Sequence, residues 1–278
     1  MKVLFVLGKG GVGRSTVSSL LGSHFAKNNH KTLIIQWSFE DQISSFFGRS
    51  PTLFHDTQNL APNLYTLNYS PQETLKEYFA DHLKMKIFYD WVIKNKHVQS
   101  LLQAAPGLQE MFFLGRIFWL CSLSLEERGW EYDKIIIDCP AMGHGGRLFH
   151  VTEEISNLGF PGLLARECER VTGMLQDPKL VSWCLVTLGH RLAWEETREL
   201  QSKVESDLKR SPQYIFLNRS LSKIENELSQ SKEFKDSFKE RIRWEKKIKE
   251  DCPQIHSIDD GWIYPNDFFR NLSLDFSL

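Results

Sequence analysis

The chain has 278 residues, and its 34 basic and 35 acidic residues give a formal net charge of −1. This balance, together with the lack of a long tail of one sign, argues against nucleic acid as a partner. The length is sufficient for one large α/β domain. The longest mostly apolar stretch, residues 111–125, contains Gly115 and Arg116 and is too short to span a bilayer, so we expect no stable membrane insertion.

Further features concern the cellular compartment. The first predicted strand begins close to Met1, from which we expect no signal peptide. The five cysteines are scattered and form no C-x-x-C pair, which suits a reducing compartment and argues against a structural zinc site. The tail from Asp267 is apolar with few basic residues, so we expect it to pack on the body of the protein rather than on a membrane. These features predict a cytoplasmic protein.

A glycine-rich loop follows the first predicted strand, Val3–Leu7, and leads into a helical pattern that starts near Ser15. Strand, glycine loop and helix in this order form the context of a phosphate-binding loop. The glycines allow positive φ, so that backbone N–H groups can face an anion, and the N-terminus of the helix adds partial positive charge. The candidate nucleotide-binding residues are Gly8, Lys9, Gly10, Gly11, Val12, Gly13, Arg14, Ser15 and Thr16.

The loop fits the P-loop frame with one departure, because Arg14 stands where a lysine is expected. Ser15 is placed to coordinate Mg²⁺, and Lys9 is an additional cation inside the loop. A glycine-rich turn without a ligand is the alternative interpretation. The agreement of strand, spacing, cations and hydroxyl favours the phosphate site.

The rest of the chain alternates between predicted strands and helices. Strands are predicted at residues 31–37, 64–67, 134–138, 180–188, 214–218 and 254–258. Helical patterns cover residues 70 to about 128, 153–176 with a break near 161, 193–208 and 221–250. Residues 38–48 are predicted as a loop and residues 51–63 as irregular structure.

This order predicts an α/β fold of the P-loop NTPase type, with a mostly parallel, doubly wound sheet flanked by helices. We expect a single domain over residues 1–278, with a helical client-binding or regulatory insertion at about 71–128. The aromatic run at residues 111–119 could bind an apolar client segment, but packing in the core is the preferred interpretation. The mixed charges of residues 232–250 favour a solvated helix face over a nucleic-acid-binding patch.

The predicted strand at 134–138 ends in Asp138, which is typical of a Walker-B strand. Its carboxylate would emerge near the phosphates, where it can hold Mg²⁺ directly or through water. The loop that follows is rich in glycine, and such a loop can move as a γ-phosphate sensor does. His144 in this loop could be catalytic, but a loop or interface role is the preferred interpretation.

The loop at residues 8–15 resembles the deviant Walker A motif of the SIMIBI-class ATPases, whose signature is an additional lysine at the position of Lys9. The segment from Asp138 is similar to switch II of the ArsA family, which comprises arsenical-pump ATPases and ATPases that target tail-anchored proteins. Residues 106–110 resemble the family's Pro-Gly-x-x-Glu stretch, and Asn218 closes a strand where the family has an adenine-reading asparagine. The matching positions of switch II are Asp138, Gly143, His144 and Arg147.

The resemblance, which extends to about residue 219, implies a set of roles. ATP or ADP with Mg²⁺ would bind at the interface of a homodimer or pseudo-dimer. A heterodimer with an intact paralogue is a separate hypothesis. Lys9 would reach the partner's phosphates and Arg14 the β- and γ-phosphates of its own subunit, so these two cations are the catalytic candidates. Ser15 and Asp138 would hold Mg²⁺, and Asn218 would contact adenine. Hydrolysis would open the dimer and change a helical surface that binds a protein client.

Two departures from the family pattern bear on turnover. Arg14 keeps the positive charge of the usual lysine but has a larger, planar head group. Ser38 stands where the family's switch I has the aspartate that positions the attacking water, and Glu40 or Asp41 could replace it only if the loop shifted. Because phosphoryl transfer depends on positioning and charge, these changes should reduce turnover more than binding.

We therefore expect an ATP-binding, nucleotide-dependent switch whose hydrolysis is slow or lost. A working ATPase of the family, a non-hydrolysing client-binding module and a degenerate partner of an intact paralogue are the alternatives. A ParA- or MinD-like positioning ATPase would need a basic patch or a basic amphipathic tail, which the sequence does not contain. The paired cysteines of the targeting ATPases and a cysteine cluster for arsenite are also missing from the sequence.

Overall fold

The computed structural model describes residues 2–38, 40–53, 56–70, 107–126, 132–140, 147–157, 163–222, 225 and 235–259. Three predicted segments therefore lie outside the described residues. They are most of the helical insertion, the loop that contains Gly143 and His144, and the apolar tail from Asp267.

The described residues contain eight strands of one sheet. Their bounds are β1 Val3–Leu7, β2 Thr32–Gln36, β3 Thr57–Ala61, β4 Leu64–Asn68, β5 Lys134–Asp138, β6 Val181–Leu188, β7 Tyr214–Ser220 and β8 His256–Asp259. The order across the sheet is β3-β4-β2-β5-β1-β6-β7-β8. All neighbouring strands are parallel except β3 and β4, which are antiparallel. The predicted α/β fold with a mostly parallel sheet is confirmed.

Helices cover both faces of this sheet. Those within the described ranges are α1 Arg14–Lys27, α2 Gln42–Phe46, α3 Leu108–Glu126, α4 Arg147–Asn157, α5 Leu163–Gln176, α6 Arg191–Leu208 and α7 Lys235–Asp251. Helix α4 already begins at Arg147, before the start predicted from the sequence. Within the described ranges, no helix has the length and apolar character needed to cross a membrane.

Side chains alternate along the strands and divide the core into two layers. Leu4, Val6 and Ile136 pack on the face that α1 covers. Phe5 and Ile137 pack on the opposite face, beneath α3, α4, α5 and α6. Because both faces are covered, the central strands read as continuous apolar runs, which explains why they were predictable.

The parallel register brings the carboxyl ends of three strands together. Asp138 at the end of β5 is level with Val6 of β1 and with Gln36 of β2. Ligands of open α/β sheets bind outside the carboxyl ends of the strands. The loops that follow β1, β2 and β5 are therefore the ones that can form a common site.

The prediction of irregular structure at residues 51–63 was wrong for Thr57–Ala61, which forms the edge strand β3. Leu60 is the buried residue of this strand, and its neighbours are exposed or half-buried. An edge strand with a solvated face gives almost no apolar pattern. The signal that could have shown it is the turn before β4, where Asn63 has a φ of 60°.

Two other predicted boundaries need correction. The predicted loop at 38–48 contains α2, a five-residue helix that is too short to show a helical period. The predicted helix at 221–250 does not include Leu221 and Ser222, because β7 continues to Ser220 and the chain then turns. The described part of that helix is α7.

The aromatic run of α3 packs against the sheet. Residues 111–119 are all buried or half-buried, so the described part of this run forms no exposed aromatic patch. The Phe113 ring lies 5.1 Å from the Trp37 ring and 4.8 Å from the Tyr69 ring, measured between centroids. These contacts agree with the preferred interpretation that the run belongs to the core.

Candidate functional site

The predicted phosphate-binding loop lies between the end of β1 and the start of α1. Gly11 and Gly13 have φ of 80° and 88°, a left-handed conformation that glycine adopts without strain. A Cβ atom added at Gly10 or Gly11 would meet no atom within 4 Å. The loop therefore presents open backbone at the N-terminus of α1, as an anion-binding nest requires.

Other predicted loop residues maintain the shape of this loop. A Cβ atom at Gly8 would lie 2.8 Å from Val12 Cγ2 and 2.8 Å from the carbonyl oxygen of Val186, so the backbone approaches β6 closely there. Val12 is buried, which anchors the loop in the core layer beneath α1. Thr16 lies half-buried in the first turn of α1.

Asn218 contacts this loop from the end of β7. Its Nδ2 donates to the carbonyl oxygen of Val12 at 2.8 Å, and its Oδ1 accepts from the N–H of Arg219 at 3.0 Å. A Cβ atom added at Gly13 would collide with the same Nδ2. Asn218 is thus buried against the backbone of the phosphate loop, at the side of the site that faces β6 and β7.

Two predicted metal ligands meet beside the loop. Ser15 Oγ donates to Asp138 Oδ2 at 2.7 Å, and Ser18 Oγ donates to Asp138 Oδ1 at 3.3 Å. Carboxylate and hydroxyl oxygens are ligands that Mg²⁺ accepts. Ser18 was not predicted as part of the site, although its spacing from Ser15 puts both hydroxyls on one face of α1.

Burial sets the electrostatics of Asp138, whose side chain is almost inaccessible to solvent. Burial raises the pKa of Asp138, while the hydrogen bonds from Ser15 and Ser18 and the positive charge of Arg14 act in the opposite direction. A carboxylate whose charge is not fully compensated favours a nearby cation. The chemistry of Ser15 and Asp138 therefore fits Mg²⁺.

Arg14 links the glycine loop to the chain segment that follows β5. Its Nη1 donates to the carbonyl oxygen of Gly8 at 2.8 Å and to that of Pro140 at 2.9 Å. Burial lowers the pKa of the Arg14 guanidinium, and the Asp138 carboxylate offsets part of this effect. An arginine stays charged at neutral pH nonetheless. The guanidinium thus places positive charge between the loop and the chain segment that follows β5.

Lys9, the additional cation, points toward α6. Its Nζ lies 3.6 Å from Glu196 Oε1, and the two side chains are 27% and 35% exposed. An ion pair with this much solvent contact contributes about 1 kcal/mol or less. Lys9 can therefore exchange Glu196 for a stronger anion at low cost.

The segment after β2 contains Ser38, which stands where an aspartate of switch I was expected. Ser38 donates its N–H to Asn68 Oδ1 at 3.4 Å. Asp41 accepts hydrogen bonds at 2.8–2.9 Å from the N–H of Ser44 and from the N–H and hydroxyl of Thr52, and a further one from the Gln36 amide.

The acceptors of Asp41 are therefore committed to the loop itself. Burial raises the pKa of Asp41, but hydrogen bonds led by those of Ser44 and Thr52 outweigh it and leave the pKa below the usual aspartate value. The carboxylate stays ionised as the N-cap of α2. The Asp41 carboxylate is thus occupied by donors of its own loop, and the Glu40 side chain is exposed.

These features define a class of protein. A mostly parallel sheet, a glycine loop between β1 and α1, and an aspartate at the end of β5 are those of a P-loop NTPase. The family model of the ArsA-type, anion-transporting ATPases matches residues 1–159, which is more than half of the chain. The chain belongs to this family, as the resemblance of its motifs predicted.

Curated relatives carry names of the same kind. The chain is 24% identical to the ATPase BagA of Mycobacterium tuberculosis over 205 residues. The matched segment covers 72% of this chain and 59% of that protein. It is 27% identical to the ATPase ASNA1 homolog of Cryptosporidium parvum over 213 residues, which are 75% of this chain and 50% of that protein. It is 28% identical to the ATPase ASNA1 homolog 2 of Paramecium tetraurelia over 174 residues, which are 60% of this chain and 46% of that protein. The chain spans about half the length of these relatives.

Proposed function

We propose that this chain binds ATP and ADP with Mg²⁺ in the loop at residues 8–16 and works as a nucleotide-dependent switch. The observation that carries the proposal is the hydrogen bond of 2.7 Å between Ser15 and Asp138 beside an open glycine loop. It brings an oxygen pair suited to Mg²⁺ next to a nest suited to phosphate. Membership of an ATPase family supports the same conclusion.

Each residue of the site has a role in this proposal. The backbone N–H groups of the loop bind the phosphates, and Arg14 and Lys9 supply positive charge to them. Ser15 and Asp138 hold Mg²⁺, which neutralises phosphate charge when it is bound. Asn218, which contacts the loop from β7, is assigned the contact with adenine.

We propose that hydrolysis is slow or absent. The attacking water of a phosphoryl transfer must be oriented by a side chain. Ser38 cannot act as a carboxylate, and Asp41 is committed to Ser44 and Thr52. Arg14 is a second reason, because its fork already donates to Gly8 and Pro140 and is bulkier than an ammonium.

We further propose that the switch acts as a dimer on a protein client in the cytoplasm. Lys9 forms a weak ion pair with Glu196 and could serve the phosphates of a partner subunit. The family and its relatives named ASNA1 homologs support a client-binding role. All five cysteines are buried thiols outside any disulfide bond, which suits a reducing compartment.

Calorimetric titration tests the proposal. ATP is titrated into the purified protein with Mg²⁺ and again with a chelator. We expect saturable binding that is tighter with Mg²⁺. Gel filtration of the same samples measures dimer formation. The absence of any ATP binding would overturn the proposed function, and a monomer that persists with ATP would point to a separate paralogue as partner.

A further inference from the structure

A buried carboxylate of α7 reaches the carboxyl end of the sheet. Glu245 is 3% exposed. It accepts hydrogen bonds from the N–H of Leu221 at 3.0 Å, from Ser220 Oγ at 2.9 Å and from Ser222 Oγ at 3.5 Å. An ionised carboxylate is costly to bury unless donors surround it. The last residue of β7 and the two residues after it supply these donors, so Glu245 fixes the chain at the end of β7.

The same carboxylate presses on the segment after β6. A Cβ atom added at Gly189 would lie 2.6 Å from Glu245 Oε1 and would collide with its Cγ. Position 189 requires glycine, because the Glu245 side chain lies so close to the backbone there that no side chain would fit. Glu245 therefore holds the segments after β6 and β7 against each other.

Arg241, one turn earlier on α7, adds a second contact, to the last residues within β7. Its Nη2 donates to the carbonyl oxygen of Arg219, and its Nε lies 3.5 Å from Glu245 Oε1. Arg219 has a φ of 55°, which is unfavourable for a residue with a side chain unless its surroundings hold it. Arg219 directly follows Asn218, the residue that contacts the phosphate loop.

The topology places these segments at one end of the nucleotide site. Strand β1 lies between β5, which carries Asp138, and β6. On the function proposed above, a nucleotide whose terminal phosphate lies beside Asp138 would extend along the loop toward Asn218, which contacts the loop from β7 on the side away from β5. The segments that Glu245 holds are thus those that would border the nucleoside.

We propose that Glu245 is a positioning residue for nucleoside binding, which acts through the segments at residues 188–190 and 218–222. The proposal rests on the function proposed above, because it assumes a nucleotide on the loop at residues 8–16. It assigns to α7 a part in nucleotide recognition. The hydrogen bonds of Glu245 end on Ser220, Leu221 and Ser222, which lie outside the phosphate-binding loop.

The test compares two ligands that share the phosphate site. Binding of ADP and of pyrophosphate, each with Mg²⁺, is measured by calorimetry for the wild type and for Glu245→Ala, Glu245→Gln and Gly189→Ala. The matched control is Glu240→Ala, which removes an exposed carboxylate from the same helix. Circular dichroism confirms that each variant is folded.

The expected result is a difference between the two ligands. Glu245→Ala should weaken ADP binding about tenfold, because buried donors lose their acceptor, and should leave pyrophosphate binding unchanged. Gly189→Ala should behave in the same way, whereas Glu245→Gln should retain most of the affinity since its carbonyl oxygen still accepts from Leu221. Glu240→Ala should bind both ligands like the wild type.

Three results would count against the proposal. Unchanged ADP binding in the folded Glu245→Ala and Gly189→Ala variants would overturn it. An equal loss of ADP and pyrophosphate binding would show a merely structural role and would also overturn it. A wild-type protein that binds neither ligand would overturn the proposed function itself, which distinguishes that failure from the failure of this inference.

Discussion

Ser15 and Asp138 form a hydrogen bond of 2.7 Å between residues that are 123 positions apart in the chain. The bond joins the first turn of α1 to the end of β5. Neither element has an unusual local structure. The parallel pairing of β1 with β5 brings their polar ends together. The fold thereby preforms an oxygen pair at the mouth of the glycine loop.

This pair leads to a prediction about metal dependence. Ser15→Ala should reduce the gain in ATP affinity that Mg²⁺ provides by about tenfold or more, because one ligand oxygen is lost. Ser18→Ala is the matched control, since its hydroxyl is farther from the carboxylate, at 3.3 Å. Calorimetric titration with and without Mg²⁺ measures both variants. Equal Mg²⁺ dependence in Ser15→Ala and the wild type would argue against Ser15 as a ligand.

The ionised Asp138 side chain is expected to lower the free energy of unfolding of the ligand-free protein at pH 7. Burial raises its pKa above that of the unfolded chain, so its contribution to stability is fully present at low pH and is lost as the pH rises through the raised pKa. Asp138→Asn should therefore increase the free energy of unfolding at pH 7 by about 1 kcal/mol. Denaturant unfolding as a function of pH tests this prediction.

The advantage of Asp138→Asn should shrink as the pH falls toward about 4, the ordinary pKa of an aspartate. The same variant should lose the Mg²⁺-dependent part of ATP binding. A destabilised variant at pH 7 would mean that the carboxylate is compensated by Ser15, Ser18 and Arg14 and contributes net stability.

The double variant Arg14→Lys with Ser38→Asp should hydrolyse ATP faster than the wild type, by about a hundredfold in a single turnover. The reason is that it restores a compact ammonium at the phosphates and a carboxylate that can orient water. Arg14→Lys with Ser38→Asn is the control, because asparagine has nearly the shape of aspartate without its charge. No change in the double variant would contradict the explanation for slow hydrolysis.

Gly13 is predicted to be intolerant of substitution. Gly13→Ala places a side chain at a φ of 88° and against Asn218 Nδ2, so the free energy of unfolding should fall by about 1–3 kcal/mol. Gly10→Ala, whose Cβ atom would meet open space, should change it by less than about 0.5 kcal/mol. Thermal unfolding of the ligand-free proteins compares the two. Equal stabilities would show that the loop relaxes around the alanine.

The sequence was sufficient to predict the central sheet and the phosphate loop. Strands β1, β2 and β5 are covered on both faces and therefore appear as apolar runs, and Asp138 follows directly from the end of such a run. Strand β3 could not be predicted in this way, because an edge strand with one buried residue has no such run. Helix α2 is shorter than the period on which the prediction depends.

The contacts that complete the candidate site were not predictable from pattern. Glu245 lies in a helix of mixed charge, where nothing local distinguishes a buried carboxylate from exposed ones. Asp41 is suitable in sequence as a replacement for the missing aspartate, but its acceptors are used by Ser44 and Thr52. Both facts depend on tertiary neighbours, which the sequence pattern does not specify.

The most direct test of the central claim is a single-turnover experiment. The protein, in excess over radiolabelled ATP with Mg²⁺, is collected on a filter, and the bound nucleotide is identified over time. The account predicts bound label that stays ATP during many minutes, as expected of a nucleotide switch with impaired hydrolysis. The absence of bound label would contradict nucleotide binding, and rapid conversion to ADP would contradict impaired hydrolysis.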